Sequence, residues 1–191
     1  MKKWLTLVLV LFATCVMAQS EVKMTSAQKQ NLDTFFSNFS EAGVASFRQD
    51  SLSDEALLDF ALRHNHINKL KALQKTKDGL SVLVPVELVD KAAIKYFGRK
   101  VGKHAKQSYT VPMADGEAYT FSQIDRLVSL GNDRFQAEGV IYSTGSGGTP
   151  NPHATPAEWK KKGEDVSRAG TFSAVIKAES ERYILLEYTV S

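Results

Sequence analysis

The stretch from Leu80 to Gly98 constrains the fold of this chain more than any other. Leu80 to Val84 is a short apolar run rich in β-branched residues, which indicates a strand, and Pro85 ends it. After Pro85 the apolar residues recur with a helical period, and Gly98 follows them where a C-terminal cap is expected. A strand that leads directly into an amphipathic helix predicts a mixed α and β scaffold and implies no chemistry. The apolar face of the predicted helix comprises Val89, Ala92, Ala93, Tyr96 and Phe97.

Two further helices are predicted before this stretch. Thr25 and Ser26 offer an N-cap, and the next twenty or so residues carry an apolar stripe at helical spacing. Ser51 and Asp54 resemble a capping box that opens the second helix, which is predicted to fray and end over Arg63-His64-Asn65-His66. The first stripe comprises Leu32, Phe35, Phe36, Phe39, Ala42, Gly43 and Phe47.

The remaining elements are predicted to be strands. A segment at 67–74 is predicted to pair with 80–84 as a hairpin around the turn Lys77-Asp78-Gly79. A basic loop over 99–106 follows the third helix, and 144–156, rich in Gly, Ser, Thr and Pro, is predicted to be an exposed loop. The later predicted strands are 109–111, 118–130, 134–143, 171–178 and 182–190, with turns at 114–116, 131–133 and 179–181.

The order of these elements predicts an α+β fold in which helices cover one face of a bent antiparallel sheet. Two helices, a hairpin, a third helix and a closing meander resemble the cystatin-like cone of the nuclear-transport-factor-2-like superfamily. The stretches VPVELVDKAAIKYFG and RYILLEYTV also resemble uncharacterised exported or lipoprotein-type bacterial families. The cone resemblance implies a pocket between sheet and helices, and another α+β sandwich of helices on one antiparallel sheet is the alternative fold.

The N-terminal residues resemble a secretory signal peptide. Lys2 and Lys3 precede an apolar run that is too short to span a bilayer, and small residues precede a cleavage site after Ala18. We therefore expect residues 1–18 to be a signal peptide and 19–191 to be one exported domain, periplasmic or secreted. The alternative is a lipid anchor on Cys15, although the residues before it match a lipobox poorly. No later segment is apolar enough to be transmembrane.

The composition excludes several function classes. Cys15 is the only cysteine and lies in the predicted signal, so the exported domain has no thiol for a disulfide, a zinc site or a nucleophile. No serine stands in a GxSxG elbow, and the four histidines lack metal-ligand spacing. After cleavage the net charge is +1, which argues against a nucleic-acid partner. We expect no metal and no cofactor.

Two groups of residues remain as candidate sites. The segment 61–107 carries 11 basic and 3 acidic residues, and its end would present cations to an anionic envelope component or acidic partner, unless they are merely solvated. A cone pocket would instead use a histidine or carboxylate beside a tyrosine, unless these rings only fill the core. The binding candidates are Lys95, Arg99, Lys100, Lys103 and His104; the pocket candidates are His64, Tyr96, Tyr119 and Tyr142.

These observations favour an exported, non-enzymatic binding or structural module of the bacterial envelope, with an envelope component or a small ligand as its partner. The first alternative is a small-molecule carrier or acid-base enzyme with a cone-shaped pocket. The second is an anion-binding surface at the central basic segment. Fold alone does not choose among them, because one scaffold supports unrelated functions.

Overall fold

The computed structural model describes residues 20–48, 51–113, 119–145 and 148–191, which form an α+β fold with an open antiparallel sheet. The predicted signal peptide, Cys15 and the predicted turn at 114–116 lie outside these residues. The described helices and strands are β1 (Ser20–Glu21), α1 (Ser26–Glu41), α2 (Asp54–Lys69), β2 (Gln74–Lys75), β3 (Ser81–Pro85), α3 (Val86–Phe97), β4 (Ser108–Pro112), β5 (Thr120–Gly131), β6 (Arg134–Thr144), α4 (Pro156–Lys162), β7 (Val166–Glu179) and β8 (Arg182–Val190).

The strands form two antiparallel sheets. The larger sheet has the order β1-β5-β6-β7-β8, and the smaller one has the order β2-β3-β4. Helix α1 packs mainly on β5, whereas α3 packs on α2 and reaches β8. This arrangement is compatible with the predicted cystatin-like order. Within the described residues, no helix combines the length and the hydropathy that a membrane-spanning segment requires.

The strand-to-helix stretch folds as its sequence predicts. Pro85 ends β3 and caps α3 at its N-terminus, and the helix stops at Gly98, whose φ of 72° is left-handed. The Gly98 N–H donates to the Ile94 carbonyl, which satisfies one of the free carbonyl groups of the last turn. At the other end of the fold, Thr25 and Gln28 form the capping box that starts α1.

Two helix boundaries differ from the prediction. Helix α1 ends at Glu41 because Gly43, with a φ of 62°, leaves the helical conformation. Phe47 therefore does not continue the helical stripe, but exchanges backbone hydrogen bonds with Tyr188 of β8. The cap of α2 is Ser53, whose hydroxyl accepts from the Ala56 N–H, and not Ser51.

Two strand predictions and one loop prediction need correction. The helix α2 runs to Lys69, so the hairpin partner of β3 is only the two-residue β2. Strand β4 pairs with β3, Tyr109 lying opposite Val84, and so belongs to the small sheet and not to the meander. The predicted exposed loop 144–156 leads into helix α4, which was not predicted. The loop residue Ala154 is buried and not exposed.

The space between the helices and the large sheet is filled with aromatic rings. Phe39 of α1 is fully buried and contacts rings on α2, α3 and β8. Phe36 packs on Phe172 of β7 with ring centroids 4.5 Å apart. Because these rings pack between the helices and the large sheet, they form part of the main apolar cluster of the described residues.

Candidate functional site

An open groove lies where α1, α3 and the turn between β7 and β8 meet. We call it the first groove, and its volume is about 360 Å³. Phe35 of α1 provides its aromatic centre, with ring centroids 6.0 Å from those of both Tyr96 and Tyr183. Tyr96 is buried, whereas Phe35 and Tyr183 are partly exposed. The groove therefore presents apolar ring surface to solvent.

Polar side chains of α1 form one rim of the first groove. Asn31, Thr34 and Asn38 lie at spacings of three and four residues, which places them on one helix face. The Asn38 side-chain amide donates to the Thr34 carbonyl at 2.7 Å, and the Thr34 hydroxyl donates to the Gln30 carbonyl at 2.9 Å. These bonds hold the rim in place and use none of the acceptor capacity of the Asn38 side-chain oxygen.

Two cations form the opposite rim. The Lys95 ammonium lies 4.7 Å from the centroid of the Tyr96 ring. The Arg182 guanidinium donates to the Ile94 carbonyl at 3.0 Å and to the Glu179 carboxylate at 3.2 Å. Because Ile94 lies in the last turn of α3, Arg182 also complements the negative end of that helix. Arg182 is therefore held in a defined position on the rim, beside the Glu181 carboxylate.

A second groove, of about 530 Å³, continues along the outer face of α3. It adjoins the first groove, because Lys95 and Arg182 line both. The lining residues that it adds are Glu87, Asp90, Lys91, Ile94 and Lys100.

Three residues of the predicted basic site lie at carboxylates of the same protein, Arg99 at Asp54 and both Lys100 and His104 at Asp90. Arg99 forms a 2.6 Å ion pair with Asp54 and donates to the Leu52 carbonyl, which ties the end of α3 to the start of α2. Together with the Gly102 N–H, Arg99 holds the pKa of Asp54 below its usual range.

The other predicted cations are placed differently. Lys95 and Lys100 line the grooves, and Lys103 is exposed. His104 is half-buried between the Asp90 carboxylate, at 3.0 Å, and the Tyr109 hydroxyl, at 3.2 Å. This chain of hydrogen bonds joins the 98–107 loop to α3 and β4.

The four predicted pocket residues lie in two separate parts of the structure. His64 contacts Tyr96, with ring centroids 4.8 Å apart, but lines neither groove. Burial lowers the pKa of His64 to about 4, and the charges of Lys95 and Lys69 act in the same direction. His64 is therefore neutral at pH 7.

Tyr119 and Tyr142 lie in a separate aromatic cluster. Both stack on Phe121, and Tyr142 also meets Trp159 of α4 edge-on. The Tyr119 hydroxyl donates to the carboxylate of Glu41, the last residue of α1. Burial raises the pKa of Glu41 to about 7 despite this hydrogen bond, and burial with the Glu41 charge raises the pKa of Tyr119 to about 12.

No sequence pattern indicated the groove residues on α1 and β8. Asn31, Thr34 and Asn38 resemble the solvated face of any amphipathic helix, and Arg182 and Tyr183 lie in a predicted hairpin. Only the tertiary fold brings them to Lys95. Within the described ranges, no group of three or more His, Cys, Asp or Glu side chains has the geometry to hold a metal ion.

Comparisons of the chain with protein-family models, with curated proteins and with solved structures found no match.

Proposed function

We propose that this protein is a non-enzymatic binding module, exported to the bacterial envelope, that holds an envelope ligand in the first groove. The observation that carries the proposal is the meeting of an exposed aromatic floor, an amide rim and two cations at one surface groove. Binding sites characteristically combine apolar surface with a few convergent polar groups. The predicted signal peptide supports the envelope as its location.

The packed interior favours surface binding over an internal carrier pocket. We propose that the two helices, the hairpin, α3 and the large sheet form a cystatin-like cone. A carrier of that type would hold its cargo between sheet and helices. In this protein, Phe36, Phe39, Phe172 and Tyr188 occupy that space and contact one another.

The acid-base alternative requires a titratable group beside a tyrosine at a cavity. Three such pairs occur: Glu41 with Tyr119, His64 with Tyr96, and His104 with Tyr109. The first and second grooves are not lined by Glu41, Tyr119, His64, His104 or Tyr109. Only Tyr96, in the first groove, and Asp90, the hydrogen-bond partner of His104, in the second, reach them. These pairs therefore favour structural roles, and the binding proposal requires no reaction at any of them.

The predicted anion-binding surface contributes to the proposal in a reduced form. Because Arg99 pairs with Asp54, His104 with Asp90 and Arg182 with Glu179, these three side chains are less available to a ligand. Lys95 and Lys100 are exposed at the grooves, and Lys100 lies 3.9 Å from the Asp90 carboxylate. We therefore assign the anion-binding role to the groove cations rather than to the whole basic segment.

Hydrogen exchange tests this proposal. The protein would be incubated with a soluble extract of its native envelope, freed of protein by protease digestion and boiling, and its exchange compared with that of the protein alone. We expect slower exchange over 31–38 and 179–183. Lys95→Glu should weaken this protection, whereas Lys161→Glu, on the exposed surface of α4, should not. Unchanged exchange over both segments would contradict the proposal.

A further inference from the structure

We infer that the ligand of the first groove is an acidic oligosaccharide, a short chain of sugar rings that bear carboxylate groups. This inference rests on the proposed function of the groove and specifies its ligand. Three features of the site point to this chemistry: the ring surface on its floor, the neutral polar groups on its α1 rim, and the distribution of charge along α3.

The floor provides aromatic surface on which rings that bear C–H groups can pack. Phe35 and Tyr183 are partly exposed, and their rings meet at a steep angle of 61°. An aromatic face carries negative partial charge and attracts the weakly positive C–H groups of a sugar. A floor of aromatic rings therefore fits a saccharide better than it fits a free inorganic anion.

The α1 rim provides groups that pair with hydroxyls. Asn31 and Asn38 each combine an amide donor with a carbonyl acceptor, and a sugar hydroxyl both donates and accepts. Their separation of seven positions spans about 10 Å of helix, a length suited to about two sugar rings. A row of neutral donor and acceptor groups along this distance favours an extended polyol.

The charges of both grooves favour a ligand of moderate negative charge. Lys95 and Arg182 stand at the junction of the grooves, and Glu179 partly offsets the charge of Arg182. Lys91 of α3 and Lys100, which lies 3.9 Å from Asp90, extend the cationic lining. Glu87, Asp90 and Glu181 lie among them. These carboxylates would repel a densely charged polyphosphate, but they accept hydrogen bonds from hydroxyls. A glycan with one carboxylate per ring satisfies both requirements.

Calorimetric titration of the protein with three defined probes tests the inference. The probes are tetragalacturonate, the neutral tetramer cellotetraose, and poly-L-glutamate as an acidic peptide. We expect tetragalacturonate to bind with a Kd below about 1 mM and at least about tenfold more tightly than either other probe. Raising the salt concentration should weaken this binding, since screening reduces the attraction of exposed cations for the carboxylates.

Paired variants locate the binding. Lys95→Glu should weaken tetragalacturonate binding at least about tenfold, and Tyr183→Ser should weaken it through lost ring contact. Lys161→Glu should bind as the wild type does. Circular dichroism and thermal unfolding would confirm that each variant folds, and Lys95→Gln gives a second measurement if Lys95→Glu does not.

Failure of the ligand class is distinguishable from failure of the groove. If cellotetraose or poly-L-glutamate binds as tightly as tetragalacturonate, or if no probe binds while the envelope extract still slows exchange over 31–38, the inference is overturned and the proposed function stands. If the extract slows exchange over neither groove segment, the proposed function itself is contradicted, and the inference falls with it.

Discussion

The Asp33 carboxylate of α1 accepts a hydrogen bond of 2.7 Å from the backbone N–H of Ile124 in β5. One helical turn later, the Ser37 hydroxyl accepts a bond of 2.9 Å from the Ser122 N–H. Helix residues four apart are separated by about 6 Å along the axis, and strand residues two apart by about 6.8 Å, so the two spacings match. Because β1 pairs only with the far end of β5, these side chains close an edge that would otherwise be open.

Replacing Asp33 with alanine should destabilise the protein strongly. Asp33 is only 2% exposed, and its loss would leave the Ile124 N–H without its acceptor and the Lys29 ammonium without its partner. We expect the free energy of unfolding in urea to fall by about 2–4 kcal/mol. Asp33→Asn keeps an acceptor oxygen, so its free energy of unfolding should fall by less.

The matched control for this prediction is Asp59→Ala. Asp59 also pairs with a cation within one helix, Arg63, but both side chains are more than half exposed. We expect this substitution to cost no more than about 0.5 kcal/mol. Equal losses for Asp33→Ala and Asp59→Ala would show that the buried carboxylate does not hold α1 to β5.

His64 should make the protein less stable in acid. Since burial lowers the pKa of His64 to about 4, the unfolded chain binds a proton at this residue that the folded protein does not, as the pH falls from about 6.5 to 4. Over that interval the free energy of unfolding should decrease by up to about 3 kcal/mol from this group.

His64→Gln removes this titration and should flatten the acid limb of the stability profile. Urea unfolding of both proteins at pH 7, 5.5 and 4 measures the difference. Parallel profiles, or an NMR titration that shows His64 protonating near pH 6.5, would contradict the burial of a neutral imidazole beside Phe60 and Tyr96.

Glu41 should act in the opposite direction. Its pKa of about 7 means that the folded protein retains a proton between pH 4.5 and 7 that the unfolded chain releases, so stability falls as the pH rises through this interval. Glu41→Gln should therefore be more stable than the wild type at pH 8, by about 1–2 kcal/mol after allowance for partial exposure.

The partner of Glu41 provides a second test. Tyr119→Phe removes the hydroxyl that favours the charged carboxylate, so it should raise the pKa of Glu41 further. A carbon-detected NMR titration of the Glu41 carboxyl would measure the change. A Glu41 pKa below 5 in the wild type would rule out its burial at the end of α1.

Tyr188→Phe should stabilise the protein slightly. The Tyr188 side chain is fully buried, and its hydroxyl has no hydrogen-bond partner among the residues that the structure describes. Phenylalanine keeps the ring contacts with Phe39 and Phe172 and removes the unpaired polar atom. We expect thermal unfolding to show that the free energy of unfolding rises by about 1 kcal/mol in Tyr188→Phe. It should fall by about 2–3 kcal/mol in Tyr188→Leu, because this substitution removes the ring contacts. A comparable loss for Tyr188→Phe would reveal a partner for the hydroxyl.

Local patterns predicted the elements whose boundaries depend on nearby residues. The prediction of β3 and α3 is correct because Pro85 and Gly98 mark their boundaries in the sequence itself. The predicted turn at Asn132 and Asp133 is also correct, because these residue types favour the positive φ that both adopt. Thr155, Pro156 and Glu158 carry a capping signal for α4 that the loop-like composition before them obscured.

Contacts between residues far apart in the sequence explain the errors in the predicted elements. Strand β4 could not be assigned to β3 from the sequence, because twenty-odd residues and a whole helix separate Val84 from Tyr109. Phe47 continued the apolar spacing of α1, but the left-handed Gly43 ends the helix and directs Phe47 to Tyr188. Helix α2 continued past its predicted end because the core buries His64 against aromatic rings.

The candidate site was predictable only in part. Lys95, Lys100 and Tyr96 were identified from the basic segment and the α3 pattern, and all three line the grooves. The ion pair of Arg99 with Asp54 joins residues 45 positions apart, so no local pattern indicates it. The same applies to Arg182, which reaches Ile94 across 88 positions.

A crystal structure of the protein purified from its source cells, with its bound ligand retained, tests the proposed binding site most directly. The account predicts ligand density in the first groove, over Phe35 and Tyr183 and within hydrogen-bond distance of Lys95. Ligand density between the large sheet and α1, displacing Phe36 or Tyr188 from their packed positions, would contradict it and identify an internal carrier site.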